Sequence, residues 1–144
     1  MITLFYAGLC TLLVLALAFR VIARRLQAKI GIGDGGDHEM QRRIRVHANA
    51  VEYLPLALIL LGGMELNGYS NAVIHGFGIT LVVSRLLHAW GLSRISGSSP
   101  GRFLGTLLTL LLMIAMALFA IAGFASPYLA NSAEADDSSH YESN

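Results

Sequence analysis

The sequence predicts an all-α membrane protein, a bundle of four transmembrane helices. Three observations predict it. Of its 144 residues, 55% are hydrophobic and only 13% charged, where a soluble domain is usually about a quarter charged. The apolar residues gather into four blocks, at 2–19, 46–66, 72–92 and 103–125. Each is close to the ~20 residues a helix needs to cross a bilayer. The positive charges are confined as well: all ten Lys and Arg residues lie between Arg20 and Arg102.

That confinement predicts topology. Arg20, Arg24, Arg25, Lys29, Arg42, Arg43 and Arg45 sit in or beside the first connection, and Arg85, Arg94 and Arg102 at or near the third. The second connection, 67–71, has no basic residue, nor has either terminus. Basic loops stay cytoplasmic, so both termini are expected outside, on one side as four spans require. The setting this predicts is a multi-pass integral membrane protein with its basic connections cytoplasmic. Block one is expected to be retained. Residues 1–3 carry no positive charge and the arginines follow the apolar run, the reverse of a signal peptide. Cys10 is the sole cysteine, so no intramolecular disulfide can form, and it reads as a small packing residue.

Helix one is expected over about 2–25. The first connection, IGIGDGGD at 30–37, has four glycines that break the helix and predict a flexible link. Helix two, about 39–66, starts near His38 with Asp37 as its N-cap and runs through Pro55, which a membrane helix tolerates. The Asn67–Gly68 pair then turns the chain. Helix three covers about 72–93 and carries Arg85 and His88 at i, i+3, on one face. Ser99–Pro100, an N-cap followed by proline at the first helical position, opens helix four at about 101–126. Gly101 and Gly105 form a GxxxG pair that permits close helix approach. The four-helix domain is thus 1–129. The polar, acidic segment 130–144 reads as a disordered tail, and His140 within it lacks the clustered ligands of a metal site. Neither a metal nor a nucleic-acid partner is expected.

The most informative polar groups interrupt the second block. In RVHANAVE, Arg45, Asn49 and Glu52 fall at i, i+4 and i+7, one polar stripe on a helix. Glu52 would lie roughly 10 Å inside the cytoplasmic end of its span, and Arg85, on the returning helix, at a similar depth. Ionisable groups in hydrocarbon are expensive and take a partner, a cavity or a ligand. A Glu52–Arg85 ion pair follows as an expectation, read either as a clamp between two helices or as part of a site. Asn49, His88, Arg24, Arg45 and Arg102 exceed what one ion pair requires. Such an excess of cationic donors suits a small polyanion with carboxylates, which arginine forks grip in two-pronged fashion. Arg102 stands in the first turn of helix four, where the dipole is positive. Either it sets topology at the membrane boundary, or it stabilises a thiolate, since such settings pull a thiol below its usual ~8.5.

The run RVHANAVEYLP resembles the MAPEG family, the membrane-associated proteins in eicosanoid and glutathione metabolism. It matches the family pattern R-x-x-x-N-x-x-E-Y-x-P, and His47 occupies a position where prostaglandin-synthase members carry histidine. The similarity extends to IARR at the end of helix one, RLLH in helix three and Pro-Gly-Arg opening helix four. The resemblance implies a homotrimer that binds glutathione as co-substrate between neighbouring subunits, with a lipophilic small-molecule substrate arriving from the membrane lipid. Carried over by motif, Arg24, Arg45, Asn49, Glu52, Tyr53, Arg85 and His88 form the glutathione pocket, and Arg102 is the catalytic residue that stabilises the thiolate.

Two positions depart from the family pattern. Leu92 stands where members of defined activity carry a tyrosine late in helix three, and 104–106 lacks the tyrosine expected early in helix four. The resemblance therefore favours a bacterial-type member of unassigned substrate over leukotriene or prostaglandin synthesis. The expected activity is glutathione transferase-like or peroxidase-like, on a lipophilic electrophile. A non-catalytic member that binds lipid or glutathione, or a small proton-coupled transporter working through Glu52, are the alternatives.

Overall fold

The computed structural model describes residues 1–94 and 100–142, with side chains described for 1–91, 100, 101 and 103–125. They form four helices in chain order: α1, Ile2–Ala28; α2, His38–Leu66; α3, Asn71–Arg94; and α4, Pro100–Glu142. All four contain segments long and apolar enough to cross a membrane. The expected helices are all present. The Ser99 N-cap lies outside the described residues, and α4 begins on Pro100, where the missing N–H costs no helical hydrogen bond.

The ends of these helices show how a short sequence sets each one. α1 has no side-chain cap of its own at Met1. Its first free N–H groups, on Ile2 and Thr3, donate instead to the carboxylate of Glu65, 2.8 Å from Thr3 N, across the turn from the far end of α2. At its other end Lys29 takes the left-handed conformation, with φ 55°. The 30–37 connection is held more firmly than the flexible link its glycines predict. Arg25 donates to the carbonyls of Gly31 and Gly33, and Asp34 Oδ1 accepts from Gly36 N at 3.0 Å. Gly33, Gly35 and Gly36 have positive φ, which a side chain would resist, so the glycines here make a defined turn. Asp37 caps α2 as expected: Oδ1 accepts from Met40 N at 2.8 Å. α2 ends in a Schellman-type turn, in which Tyr69 N donates to Met64 O at 3.2 Å and Gly68 supplies a φ of 80°.

α2 and α3 form the middle of the bundle. α1 packs on both from one side, and α4 packs on both from the other. The shared core is drawn from every helix: Tyr6, Cys10 and Leu17; Val46, Ala50, Leu54, Ala57 and Leu61; Ile74 and Leu81; Leu112 and Met116. Outward-facing Leu4, Phe5, Phe19, Ile59, Ile79, Leu110, Ile114 and Ile121 leave an apolar exterior. This is the surface of a multi-pass integral membrane protein, since hydrocarbon carries no penalty for it. Between lipid-bathed helices the hydrophobic effect contributes little, and close packing holds the bundle instead.

Two glycines permit the closest approaches. A Cβ at Gly78 would stand 2.3 Å from the Tyr6 ring, so the ring occupies the space on α3 that a side chain would fill. A Cβ at Gly105 would stand 2.6 Å from His88 N and 2.7 Å from Ser84 O. Gly101, one turn earlier, meets the Gly91 Cα and Leu87 O at 3.4 Å. The GxxxG pair therefore marks a real contact, and it lies within one subunit, between α3 and α4.

One boundary differs from expectation. α4 continues as a helix through Glu142, where the composition of 130–144 predicted a disordered tail. After Pro127 this segment has neither proline nor glycine, and it carries Ala130, Ala133 and Ala135. A helix already nucleated in the span needs only propagation to extend through such residues.

Candidate functional site

The sequence-predicted residues separate into three groups. Asn49, Tyr53, Arg85 and His88 come together inside the bundle. Arg85 is buried, with 2% of its surface exposed. Its Nη2 donates to Asn49 Oδ1 at 2.5 Å, its Nη1 to Thr109 Oγ1 at 3.4 Å, and the guanidinium carbon lies 5.6 Å from the centre of the Tyr53 ring. His88, one turn further along α3, is also buried, and its Nδ1 lies 3.0 Å from Thr106 Oγ1. Cys10 of α1 is buried in the adjoining core.

Arg45 and Glu52 form the second group, and both are exposed on the outer face of α2. The expected Glu52–Arg85 ion pair is not made; Arg85 takes Asn49 instead. Helical rotation explains this. At 100° per residue, Arg45 and Glu52 are only about 20° apart, but Asn49 is rotated about 40–60° from them toward the core. Val46, Ala50, Leu54, Ala57 and Leu61 define the buried side of α2, and Glu52 points nearly opposite to it. The stripe read from i, i+4, i+7 spacing straddles a boundary: its inner edge faces Arg85 and its outer edge leaves the subunit.

Arg24 is the third case. Its Nη2 donates to Asp37 Oδ2 at 2.5 Å, roughly 18 Å along α2 from Asn49. The Arg24 pair and the Met40 N–H both favour ionised Asp37, with the backbone donor the larger influence. They hold this carboxyl below the usual aspartate range. Within one subunit Arg24 ties the end of α1 to the start of α2, and Arg43 does the same by donating to Arg20 O at 2.8 Å. The side chains of Arg102 and Leu92 lie outside the described residues. The backbone at 102 is placed between the two close-packed glycines at the start of α4.

The electrostatics of the inner group are unbalanced. No carboxylate among the described residues lies within ion-pair distance of Arg85, and its Nε–H has no acceptor. A buried cation held only by neutral oxygens and an aromatic face is poorly compensated, because its desolvation is offset only when an anion approaches. In a membrane span such a group ordinarily faces a partner, a cavity or a ligand.

Spacing rules did not reveal Thr106, Thr109 or Ser84, which border this site. Thr109 and Ser84 are fully buried, and their hydroxyls lie 3.1 Å apart. Threonine in an apolar membrane helix is too common to stand out, and the register of α4 against Arg85 and His88 depends on how it packs on α3.

Fold and site together define a four-helix integral membrane protein with a cationic polar cluster buried in its bundle. The MAPEG family model matches residues 3–122, and the chain belongs to the MAPEG family. Among curated proteins it is 43% identical over 91 residues to "Inner membrane protein YecN" of Escherichia coli strain K12, covering 63% of this chain and 70% of that protein. The protein of the same name from Escherichia coli O6:H1, strain CFT073, matches with the same identity and coverage.

Proposed function

We propose that the protein is a glutathione-dependent membrane enzyme, transferase-like or peroxidase-like, acting on a lipophilic electrophile. The observation that carries this reading is the buried Arg85 guanidinium, which has no carboxylate partner among the described residues and an unused Nε–H. Glutathione supplies what that site lacks. It has two carboxylates for arginine forks, amides that Asn49 and Tyr53 can address, and a thiol.

Arg45 and Glu52 enter the same reading through assembly. A carboxylate on the outer face of a membrane helix is costly unless something covers it. A homotrimer would cover that face, setting Arg45 and Glu52 of one copy beside the glutathione held by a neighbour. Glu52 would then accept from the glutathione ammonium and Arg45 would grip a carboxylate. Arg102 would stabilise the thiolate from the first turn of α4, where the helix dipole favours negative charge. In the conjugation reaction the thiolate sulfur donates its electron pair to an electrophilic carbon. A carbon–sulfur bond forms and the displaced group leaves with its own bonding pair. The electrophile would arrive from the lipid that bathes the apolar exterior. The charge distribution, together with the inner-membrane name of the relatives, supports an inner membrane with the basic connections cytoplasmic and both termini outside.

The test is glutathione binding to the detergent-purified protein, with turnover of chlorodinitrobenzene measured alongside. Millimolar glutathione is expected to bind, Arg85→Ala to abolish binding, and Arg102→Ala to reduce turnover more than binding. No binding at millimolar concentration would sink the reading. Leu92, at the position where active relatives of the motif carry tyrosine, favours one second reading, a non-catalytic glutathione-binding or lipid-binding protein. Binding without turnover of any electrophile would select it.

A further inference from the structure

The seam between α3 and α4 carries two rungs that lie behind the proposed ligand site. Arg85 and His88 stand one turn apart on α3, and Thr109 and Thr106 stand one turn apart on α4. The antiparallel packing brings them level. Arg85 Nη1 donates to Thr109 Oγ1 at 3.4 Å, and His88 Nδ1 lies 3.0 Å from Thr106 Oγ1. Behind the first rung the Thr109 hydroxyl donates to Gly105 O at 2.7 Å, and Ser84 Oγ donates to Leu81 O at 2.8 Å. The absence of a side chain at Gly105 lets the two backbones approach closely enough for both rungs to form.

Each rung removes a specific freedom. An arginine fork can rotate about several bonds, so its orientation must be imposed. Asn49 holds Nη2 and Thr109 holds Nη1, leaving Nε–H as the donor still to be used. For a histidine, a hydrogen bond at one ring nitrogen fixes the rotation of the ring, and so where the other nitrogen points. The Thr106 hydroxyl, 3.0 Å from Nδ1, holds the His88 ring in this way.

We propose that Thr106 and Thr109 are positioning residues: Thr109 fixes the plane of the Arg85 guanidinium, and Thr106 fixes the orientation of the His88 ring. The residues they position are those the glutathione reading places in the pocket, and the inference rests on that reading for its purpose. Its geometry can be tested without any ligand.

The experiment uses the full chain in detergent micelles, labelled with 15N at histidine and arginine, with His88 and Arg85 assigned by His88→Gln and Arg85→Lys. In the wild type, ring-nitrogen shifts should show a hydrogen-bonded His88 Nδ1, and hindered rotation should give resolved Arg85 Nη resonances. Thr106→Val should move the Nδ1 resonance off its hydrogen-bonded position, and Thr109→Val should merge the Nη resonances. Thr106→Ser and Thr109→Ser, which keep the hydroxyl, should restore the wild-type spectra. Glutathione affinity should fall about tenfold in Thr109→Val, the loss of roughly one hydrogen bond to a charged group, and recover in Thr109→Ser. Unchanged spectra in both valine variants, or serine variants that behave like valine, would overturn the proposal. Wild-type protein that shows the expected spectra but binds no glutathione would retain the positioning roles and remove the glutathione reading.

Discussion

The two edges of one polar stripe on α2 meet different fates. Asn49 and Tyr53, on the inner edge, close around Arg85 within the bundle. Arg45 and Glu52, on the outer edge, stand exposed on a face that the subunit alone does not cover. The same few residues thus serve two surfaces, and rotations of roughly 40–100° separate them. A polar stripe inside a membrane span therefore does not identify one partner. Its inner part answers to the subunit's own fold, and its outer part answers to whatever packs against it.

The comparison can be broken most severely from α4. Gly105→Leu should drive the α4 backbone away from Ser84 and His88, dismantling the support of the inner edge. The expected cost is about 3 kcal/mol or more, from overpacking at a backbone contact, read as loss of the folded, monodisperse protein on size exclusion in detergent. Gly76→Ala is the control, because a Cβ there meets nothing within 4 Å. Its elution should match the wild type.

Asn49→Leu against Glu52→Gln sharpens the contrast directly. The first strips the buried guanidinium of an acceptor and should lower stability by about 2 kcal/mol, in line with an unsatisfied buried charged donor. The second alters an exposed group and should leave subunit stability within about 0.5 kcal/mol. Thermal melting in one detergent compares them, and equal losses would erase the distinction between the edges. For assembly the order reverses. Glu52→Gln and Arg45→Ala should weaken the proposed trimer in native mass spectrometry, while Asn49→Leu should leave the number of associated copies unchanged in whatever fraction remains folded.

The smallest expected effect lies far from both edges, at Asp37. Its folded-state pKa is lowered by the Met40 N–H and Arg24. Its contribution is therefore fully present above the unfolded aspartate value of about 3.9 and is lost as pH falls through the lower folded value. Asp37→Asn keeps an N-cap side chain but removes the titration. The melting temperature of the wild type should fall toward that of the variant as the pH drops below about 4. A constant gap between the two proteins across that range would show that the charge contributes nothing.

Much of the fold was legible because each signal is local. Four apolar blocks specify four spans, Asp37 and Asn67–Gly68 mark where helices begin and turn, and Gly101 and Gly105 mark where one helix can approach another. The helical extension to Glu142 was missed because polar composition argued for disorder, whereas unbroken propagation from a long helix depends on what precedes the segment. Asn49, Tyr53, Arg85 and His88, singled out from motif and spacing, do come together inside the bundle. The pairing of Arg24 with Asp37 was not legible, because it joins residues across a turn whose geometry depends on Gly33, Gly35 and Gly36. Nor was the capping of α1 by Glu65, 63 residues away.

By itself, then, the sequence determined the number of spans, their approximate ends, the confinement of positive charge, and which polar residues interrupt the apolar blocks. Those properties follow from composition and from periods of a few residues. Tertiary structure decided that Asn49 rather than Glu52 meets Arg85, that Thr106 and Thr109 stand beside Arg85 and His88, and that the outer edge of α2 is exposed on the subunit. The reason is rotational. Spacing along a helix says which residues share a face to within about a third of a turn, while the packing of α2 against α1, α3 and α4 sets which part of that arc is buried.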